Sequence, residues 1–150
     1  MKRYIYIIGA LLLSATALQA QELRFAWLAD THISMKGQAA EDLKLCIRDM
    51  NENIRPDFVI CAGDITNFGS DEELAFAKEL LDALEMPYYA VAGNHDATWS
   101  ESGCNSVVKT FGYEQFDFSA GGWRFLGCTS GPNMRMAPAL TPRSDLVWLG

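Results

Sequence analysis

The stretch "YYAVAGNHD" (residues 88–96) joins an apolar run directly to four residues of different chemistry. Its first five residues form a short apolar run with turn residues at its boundary, which predicts a buried strand. The last four residues are Gly93, Asn94, His95 and Asp96. Polar side chains that directly follow a buried strand indicate a site at the carboxyl end of a sheet.

Two earlier stretches are built in the same way. "LRFAWLAD" (residues 23–30) is an apolar run that ends at Asp30, and His32 lies two residues later. "DFVICAGD" (residues 57–64) is a second apolar run, and it ends with a glycine and Asp64. Because the carboxyl ends of parallel strands meet at one edge of a sheet, we expect the three polar signatures to converge on one crevice.

Between these runs, apolar residues recur at helical spacing. One stripe covers residues 40–54 and is followed by Pro56, which prevents its continuation. A second stripe covers residues 74–84 and follows a capping box formed by Ser70 and Glu73. Three apolar strands separated by two amphipathic helices predict an α/β fold that starts with a parallel βαβαβ unit. We expect its core to include the aromatic side chains Phe25, Trp27, Phe58 and Phe76.

The character of the chain changes after the third signature. Residues 98–112 are polar and predict a long loop, and residues 113–118 and 123–128 predict an antiparallel hairpin around "SAGG". Thr141 followed by Pro142 is typical of a helix start, with the threonine as N-cap. The sequence stops soon afterwards inside an apolar helical pattern, which we interpret as a truncation.

The first twenty residues have the construction of a secretory signal peptide. Lys2 and Arg3 precede an apolar core over residues 5–13, Ala-Thr-Ala at 15–17 offers a cleavage site, and Leu-Gln-Ala at 18–20 offers a weaker one. A transmembrane anchor is the alternative, but it needs about 20 apolar residues. We therefore expect export to the periplasm or the extracellular space and a single domain over residues 21–150.

The charge of the chain limits its partners. The leader contains two of the twelve basic residues and none of the nineteen acidic ones, so ten basic and nineteen acidic residues leave a formal net charge of −9. Such a chain disfavours binding of duplex nucleic acid or anionic membranes through a basic patch. A phosphate substrate is still compatible, because bound metal ions reverse the sign of the charge locally.

The four cysteines leave two interpretations open. Export permits disulfides, and four cysteines allow three pairings. The alternative is that they are small buried hydrophobic residues, as the apolar surroundings of Cys61 suggest. The sequence favours no particular pairing among Cys46, Cys61, Cys104 and Cys128.

The residue types at the strand ends suit a pair of metal ions. Asp30 and His32 place a carboxylate oxygen and an imidazole nitrogen within reach of one ion. Asp64, from the neighbouring strand, has two oxygens and is able to bridge two ions, and Asn94 offers an amide oxygen to the second ion. Mixed nitrogen and oxygen ligands favour Mn, Fe, Zn or Ni.

These signatures resemble, in order and in spacing, the first three sequence blocks of the calcineurin-like metallophosphoesterase superfamily. The resemblance implies the first part of a calcineurin-like α/β sandwich and a hydrolase of phosphoric esters. It also implies two transition-metal ions, with a hydroxide between them that attacks phosphorus in line. The metal ligands would be Asp30, His32, Asp64 and Asn94, with Asp64 as the bridge.

The resemblance further implies two catalytic residues. His95 would lie against the substrate, where it would stabilise charge in the transition state or protonate the leaving oxygen. Asp96 would hold the His95 ring in orientation. The substrate would be a monoester, a diester, a nucleotide or a lipid headgroup. Asn67 stands where purple acid phosphatases have a tyrosine, so a tyrosinate–iron site is not expected.

One departure from the family is large. No histidine follows His95, so the histidines of the later family blocks are missing. The first ion then has three protein ligands and the second has two. We interpret residues 21–150 as the N-terminal part of the domain, inactive or weakly active alone. The alternative is a non-catalytic remnant or binding protein that keeps the scaffold without a complete metal site.

Overall fold

Strands and helices alternate along the chain in a computed structural model that describes residues 22–98, 105–131 and 141–150. The predicted leader and Cys104 lie outside these described residues. Among the described residues, no helix combines the length and the apolar character needed to span a bilayer. The elements are β1 (Phe25–Leu28), α1 (Ala39–Asp49), a π-helical turn (Met50–Ile54), β2 (Phe58–Ala62), α2 (Asp71–Leu81), β3 (Tyr88–Val91), α3 (Asn94–Thr98), α4 (Asn105–Phe111), β4 (Phe116–Ala120), β5 (Trp123–Gly127) and α5 (Arg143–Leu149).

The first three strands form the predicted parallel sheet, in the order β1-β2-β3. Phe25 pairs with Phe58 at one end of the β1–β2 ladder, and Ala62 pairs with Val91 at the end of the β2–β3 ladder. Strand β2 is central, and its residues 58–61 are buried. The apolar runs of the sequence therefore mark the strands correctly, and the α/β fold class is confirmed.

Helices α1 and α2 cover one face of this sheet. Leu43, Ile47 and Leu81 pack against Val59 and Cys61 in the main hydrophobic cluster. Burial of apolar surface of this kind stabilises the fold by about 25 cal/mol per Å². The sheet is thereby held at a fixed distance from its helices, which gives the strand ends a rigid support.

The end of the first helical stripe differs from the prediction. The α-helical pattern changes to a π-helical turn at Met50, and Arg55 closes it in the left-handed region with φ 47°. The Arg55 N–H donates to the Met50 carbonyl at 2.8 Å. Because the wider turn shifts the periodicity, Ile54 is not buried with the rest of the stripe but is 41% exposed.

The β4–β5 hairpin covers part of the opposite face. Gly121 and Gly122 form its two-residue turn with φ 56° and 82°, the left-handed backbone that such turns require. The Phe118 and Phe125 rings pack on Phe58. The predicted hairpin is confirmed, with its first strand beginning three residues later than expected.

Two aromatic residues expected in the core are exposed. Phe25 stacks on Phe58 but remains 43% exposed, and Trp27 is 62% exposed. Both lie on β1, which is an edge strand among the described elements. Phe58 is buried and Phe76 is partly buried against the main cluster, as expected.

The loop predicted over residues 98–112 contains a helix. Helix α4 buries Val107 beside Leu74 and Ala92, with Phe111 packed against them. The Ser106 hydroxyl donates to the Asp71 carboxylate at 2.5 Å. The polar composition of the segment hides this short helix, since only two apolar residues, one turn apart, form its contact face.

The predicted helix caps are partly right. Ser70 accepts a hydrogen bond from the Glu73 N–H at 3.1 Å, as a capping box requires. The Glu73 carboxylate, however, accepts from the Phe68 N–H at 2.7 Å. In α5 the N-cap is Pro142, without a side-chain cap, so the assignment of Thr141 as the N-cap is wrong.

The described cysteines are not paired with one another. Cys46, Cys61 and Cys128 are free thiols. Cys61 is buried in β2, and burial raises the pKa of its thiol to about 12. It therefore behaves as a small hydrophobic residue, as one of the two sequence interpretations expects.

Candidate metal centre

The loops after β1 and β2 continue side by side beyond the strands. The Asp30 N–H donates to the Gly63 carbonyl at 3.2 Å, and the His32 N–H donates to the Asp64 carbonyl at 3.0 Å. One residue further, the Ile33 N–H donates to Ile65 at 2.8 Å. These backbone bonds extend the parallel pairing past the strand ends, so that the first two polar signatures lie next to each other.

The backbone is unusual where these signatures meet. Asp30, His32 and Asp64 have φ angles of 55°, 45° and 48°. Among the described non-glycine residues, one other has a positive φ, Arg55 at the helix end. The left-handed region is disfavoured for residues with a Cβ, and such strain clusters at functional sites. The surrounding backbone hydrogen bonds hold these three residues in a left-handed conformation. An unconstrained loop would relax to ordinary backbone angles.

The three side chains meet at the edge of the sheet. One nitrogen or oxygen atom from each of Asp30, His32 and Asp64 lies within 4.8 Å of the other two, and this is the one such His, Cys or acidic cluster among the described residues. His32 Nε2 is 4.0 Å from Asp30 Oδ1. The Asp30 side chain is 73% exposed, so water reaches the cluster. The structure thus brings together three of the four predicted metal ligands.

Glycine allows the third signature to approach the second. A Cβ on Gly93 would overlap both the carboxylate and the backbone nitrogen of Asp64. A Cβ on Gly63, whose φ is 90°, would lie 2.9 Å from the Gly93 Cα. Only residues without a side chain permit this backbone contact. As a result Asn94, the fourth predicted ligand, begins its helix directly beside Asp64.

A cavity of about 230 Å³ lies at this junction. Asp30, Asp64 and Asn94 line it, with Ser130 and Gly131 on another side. No lysine or arginine is among the described residues that line it. A larger cavity of about 480 Å³ near α1 and α2 contains both acidic and basic side chains and none of the predicted ligands, whereas Asp30 and Asp64 of the cluster line the smaller one.

The segment after β5 was not expected at the site. Buried Thr129 donates through its hydroxyl to the Ala92 carbonyl at 2.7 Å, which attaches this segment to the end of β3. Cys128, Ser130 and Gly131 then line the cavity. The only sequence feature that marks this segment is a run of small residues after a strand, "CTSG". Many kinds of turn have such residues, so the run does not indicate a site.

The His95 ring is held by a backbone carbonyl. Its Nδ1 lies 2.7 Å from the Asn67 carbonyl oxygen. Because a carbonyl only accepts, this contact requires a proton on Nδ1 and leaves Nε2 to exchange protons with other groups. The His95 backbone N–H donates to Asp64 Oδ1 at 2.9 Å, and its ring lies 4.6 Å from the His32 ring, edge to face.

The contact implied for Asp96 differs from the observed one. Asp96 is fully buried, and its carboxylate accepts hydrogen bonds from Ile65, Thr66 and Gly93. Asn67, and not Asp96, holds the His95 ring. The reason is that Ile65 and Thr66, in the loop after β2, occupy the Asp96 carboxylate with their donors, while the Asn67 carbonyl of the same loop is free to accept from His95.

The residues fit a metal ion on chemical grounds. Two carboxylates and an imidazole converge, and no lysine or arginine among the described residues lines the cavity to offset their charge. Among the described residues, no group makes a hydrogen bond with the buried His32 Nδ1. An unpartnered buried nitrogen is unfavourable, and a ligand bound at Nδ1 itself would relieve that cost. Oxygen and nitrogen donors of this kind suit first-row transition ions.

Comparison with known proteins identifies the family of this chain. A sequence profile described as calcineurin-like phosphoesterase matches residues 23–134. A probable glycerophosphodiester phosphodiesterase GpdQ of Arcobacter nitrofigilis is 40% identical over 77 residues, 46% of this chain and 28% of that protein. The glycerophosphodiester phosphodiesterase GpdQ of Enterobacter lignolyticus is 48% identical over 42 residues, 28% of this chain and 15% of that protein.

A third relative is named for a different activity. A probable cyclic nucleotide phosphodiesterase of Moraxella catarrhalis is 34% identical over 73 residues, 47% of this chain and 26% of that protein. The chain spans less than a third of the length of each of these relatives. The profile match includes all three strand-end signatures and the hairpin. The chain therefore belongs to the calcineurin-like phosphoesterase family.

Proposed function

We propose that this protein is a metal-dependent phosphodiesterase with a dinuclear centre. Asp30, His32 and Asp64 would hold one ion, and Asp64 and Asn94 would hold the other. The observation that carries the proposal is the position of Asp64, which belongs to the Asp30–His32 cluster and lines the same cavity as Asn94. Manganese, iron, zinc and nickel all suit this donor set.

The protein's own residues define what the site does to a phosphate ester. Bound ions would lower the pKa of water and offset the negative charge of the phosphoryl oxygens. His95, with its Nδ1 proton held by Asn67, presents Nε2 as the group that exchanges a proton with the leaving oxygen. The left-handed backbone at Asp30, His32 and Asp64 holds the ligands in place before substrate arrives.

Small phosphodiesters are the proposed substrate class. The three relatives are named for glycerophosphodiesters and for cyclic nucleotides, which share a phosphate esterified twice to a small organic group. The net charge of −7 for the whole chain disfavours duplex nucleic acid as a substrate.

Metal removal tests the proposal. The whole protein, rather than this chain alone, is expected to hydrolyse bis(4-nitrophenyl) phosphate faster than 4-nitrophenyl phosphate. Chelation of metal should lower the rate by at least about two orders of magnitude, because ions in such sites supply several kcal/mol of transition-state stabilisation. Addition of Mn²⁺ should restore it. Release of nitrophenol at 405 nm measures the rate, and unchanged turnover after chelation would exclude a metal-dependent mechanism.

A non-catalytic scaffold is the second candidate function. The observation that favours it is that, among the described residues, three side chains form the cluster assigned to the first ion and only Asp64 and Asn94 are assigned to the second. A chain that binds one equivalent of Mn²⁺ and hydrolyses neither nitrophenyl ester would support this candidate. Turnover with two bound equivalents would support the phosphodiesterase.

We also propose that the protein is exported. Support comes from the basic start, the apolar core and the small residues of the first twenty positions. Expression in a bacterial host should give a mature chain that starts at Leu18 or Gln21, as mass spectrometry of the N-terminus would show. Leu12→Arg, which interrupts the apolar core, should leave the leader uncleaved. A wild-type chain that keeps Met1 would contradict export by this route.

A further inference from the structure

The cavity is backed by a buried polar pair, Thr66 and Asp96, which the metal ligands do not include. We propose that this pair, here called the Thr66–Asp96 clamp, sets the separation between Asp64 and Asn94 and so determines how tightly the centre binds metal. The inference rests on the proposed function, because it concerns the same ions. Thr66 and Asp96 are then positioning residues, and neither touches the cavity.

The clamp joins the loops that hold the two ligands. Asp96 Oδ2 accepts from the Ile65 N–H at 3.1 Å and from the Gly93 N–H at 2.9 Å. Ile65 directly follows Asp64 and Gly93 directly precedes Asn94. A single carboxylate oxygen therefore fixes the backbone next to both ligands, and the separation of the two loops depends on it.

Thr66 donates both hydrogen bonds that the other oxygen of Asp96, Oδ1, accepts. This oxygen accepts from the Thr66 N–H at 2.8 Å and from the Thr66 hydroxyl at 2.7 Å. Because its proton points to Asp96, the same hydroxyl accepts from the Gly69 N–H at 3.0 Å. This directed chain of donors leaves one orientation for the Thr66 hydroxyl, and both side chains are 0% exposed.

The chemistry of the clamp demands a carboxylate. All four groups that contact the Asp96 carboxylate are hydrogen-bond donors. Only a side chain that accepts at both of its oxygens, as a carboxylate does, satisfies all of them. No ion pair among the described residues includes Asp96. A buried charge stabilised by N–H and O–H groups alone is sensitive to the loss of any one of them.

The strained backbone of Asp64 is the reason that loss of the clamp would move a metal ligand. Asp64 has φ 48°, and the N–H groups of the next two residues, Ile65 and Thr66, are those that Asp96 holds. Without the clamp, Asp64 is free to relax toward an ordinary backbone angle and to move its carboxylate away from Asn94. Outer contacts that orient metal ligands typically change metal affinity 10- to 100-fold when they are removed.

The test measures Mn²⁺ affinity of the full chain by calorimetry and its stability by urea unfolding. Thr66→Val keeps the shape and removes the hydroxyl, and we expect it to weaken Mn²⁺ binding about tenfold. Thr66→Ser restores the hydroxyl and should recover most of the affinity. If Thr66→Val does not fold, Thr66→Ala, which leaves space for a water molecule, replaces it in the same measurement.

Asn51→Ala is the matched control. Asn51 also joins two segments with a pair of hydrogen bonds, from its Nδ2 to the Ala83 carbonyl at 2.8 Å and from the Glu85 N–H to its Oδ1 at 3.0 Å. It does not line the metal cavity. We expect this variant to lower the free energy of unfolding and to bind Mn²⁺ with wild-type affinity.

The outcomes separate the clamp from the proposed function. Wild-type Mn²⁺ affinity in Thr66→Val, or an equal loss of affinity in Asn51→Ala, would overturn the clamp while the phosphodiesterase assignment stands. A wild-type chain that neither binds Mn²⁺ nor hydrolyses a diester would overturn the proposed function and the clamp together. Weakened binding in Thr66→Val with recovery in Thr66→Ser supports the clamp.

Discussion

Replacement of Asp64 by asparagine is expected to abolish diester hydrolysis and to weaken the binding of both ions. Asparagine has nearly the same shape, and its amide oxygen still accepts from the His95 N–H that contacts Asp64 Oδ1 in the wild type. What is lost is the negative charge and the second anionic oxygen. Since ions in such sites supply several kcal/mol to the transition state, kcat should fall by about three orders of magnitude or more.

The measurement for Asp64→Asn combines two readouts on the whole protein. Turnover of bis(4-nitrophenyl) phosphate reports activity, and elemental analysis after gel filtration reports bound metal. Asp117→Asn is the matched control, because Asp117 lies on β4, pairs with Arg124 and does not line the cavity. Two retained ions with full activity in Asp64→Asn would show that this carboxylate is not the bridge.

Replacement of His95 by alanine is expected to lower kcat by about two to four orders of magnitude, the range of general acid–base catalysis. Bound metal should not change, because the described cluster consists of Asp30, His32 and Asp64. The backbone N–H that His95 donates to Asp64 is also present in alanine. The loss of activity should therefore come from the ring alone.

Chemical rescue gives a second readout for His95→Ala. Imidazole added to the variant should recover part of the rate. An unchanged kcat would remove His95 from the proton-transfer step, and a loss of metal would show that His95 acts on the ions instead.

The strand-end signatures were predictable because they depend on short-range patterns. An apolar run that stops at a polar residue marks the end of a buried strand, and parallel strands leave their carboxyl ends together. This is enough to bring Asp30, His32 and Asp64 into one cluster and Asn94 to the same cavity. The hairpin was equally readable, since two consecutive glycines suit its turn.

Other features depend on contacts between distant segments. Helix α4 forms because Val107 finds Leu74 and Ala92, and no local pattern specifies that contact. The apolar run around Trp27 predicts a core residue, but Trp27 lies on an edge strand and is exposed. The segment after β5 reaches the cavity through Thr129, whose partner, Ala92, is 37 residues away.

The sequence by itself determined the parallel sheet, the order of its polar strand ends and the residue types that suit metal ions. The reason is that the alternation of apolar runs with helical stripes, and the spacing of the polar residues after each run, are local properties of the sequence. The tertiary structure decided the left-handed backbone at the ligands, the carbonyl of Asn67 on the His95 ring and the burial of Asp96 behind the cavity. These features follow from hydrogen bonds between loops about thirty residues apart, which form only when the sheet has brought those loops together.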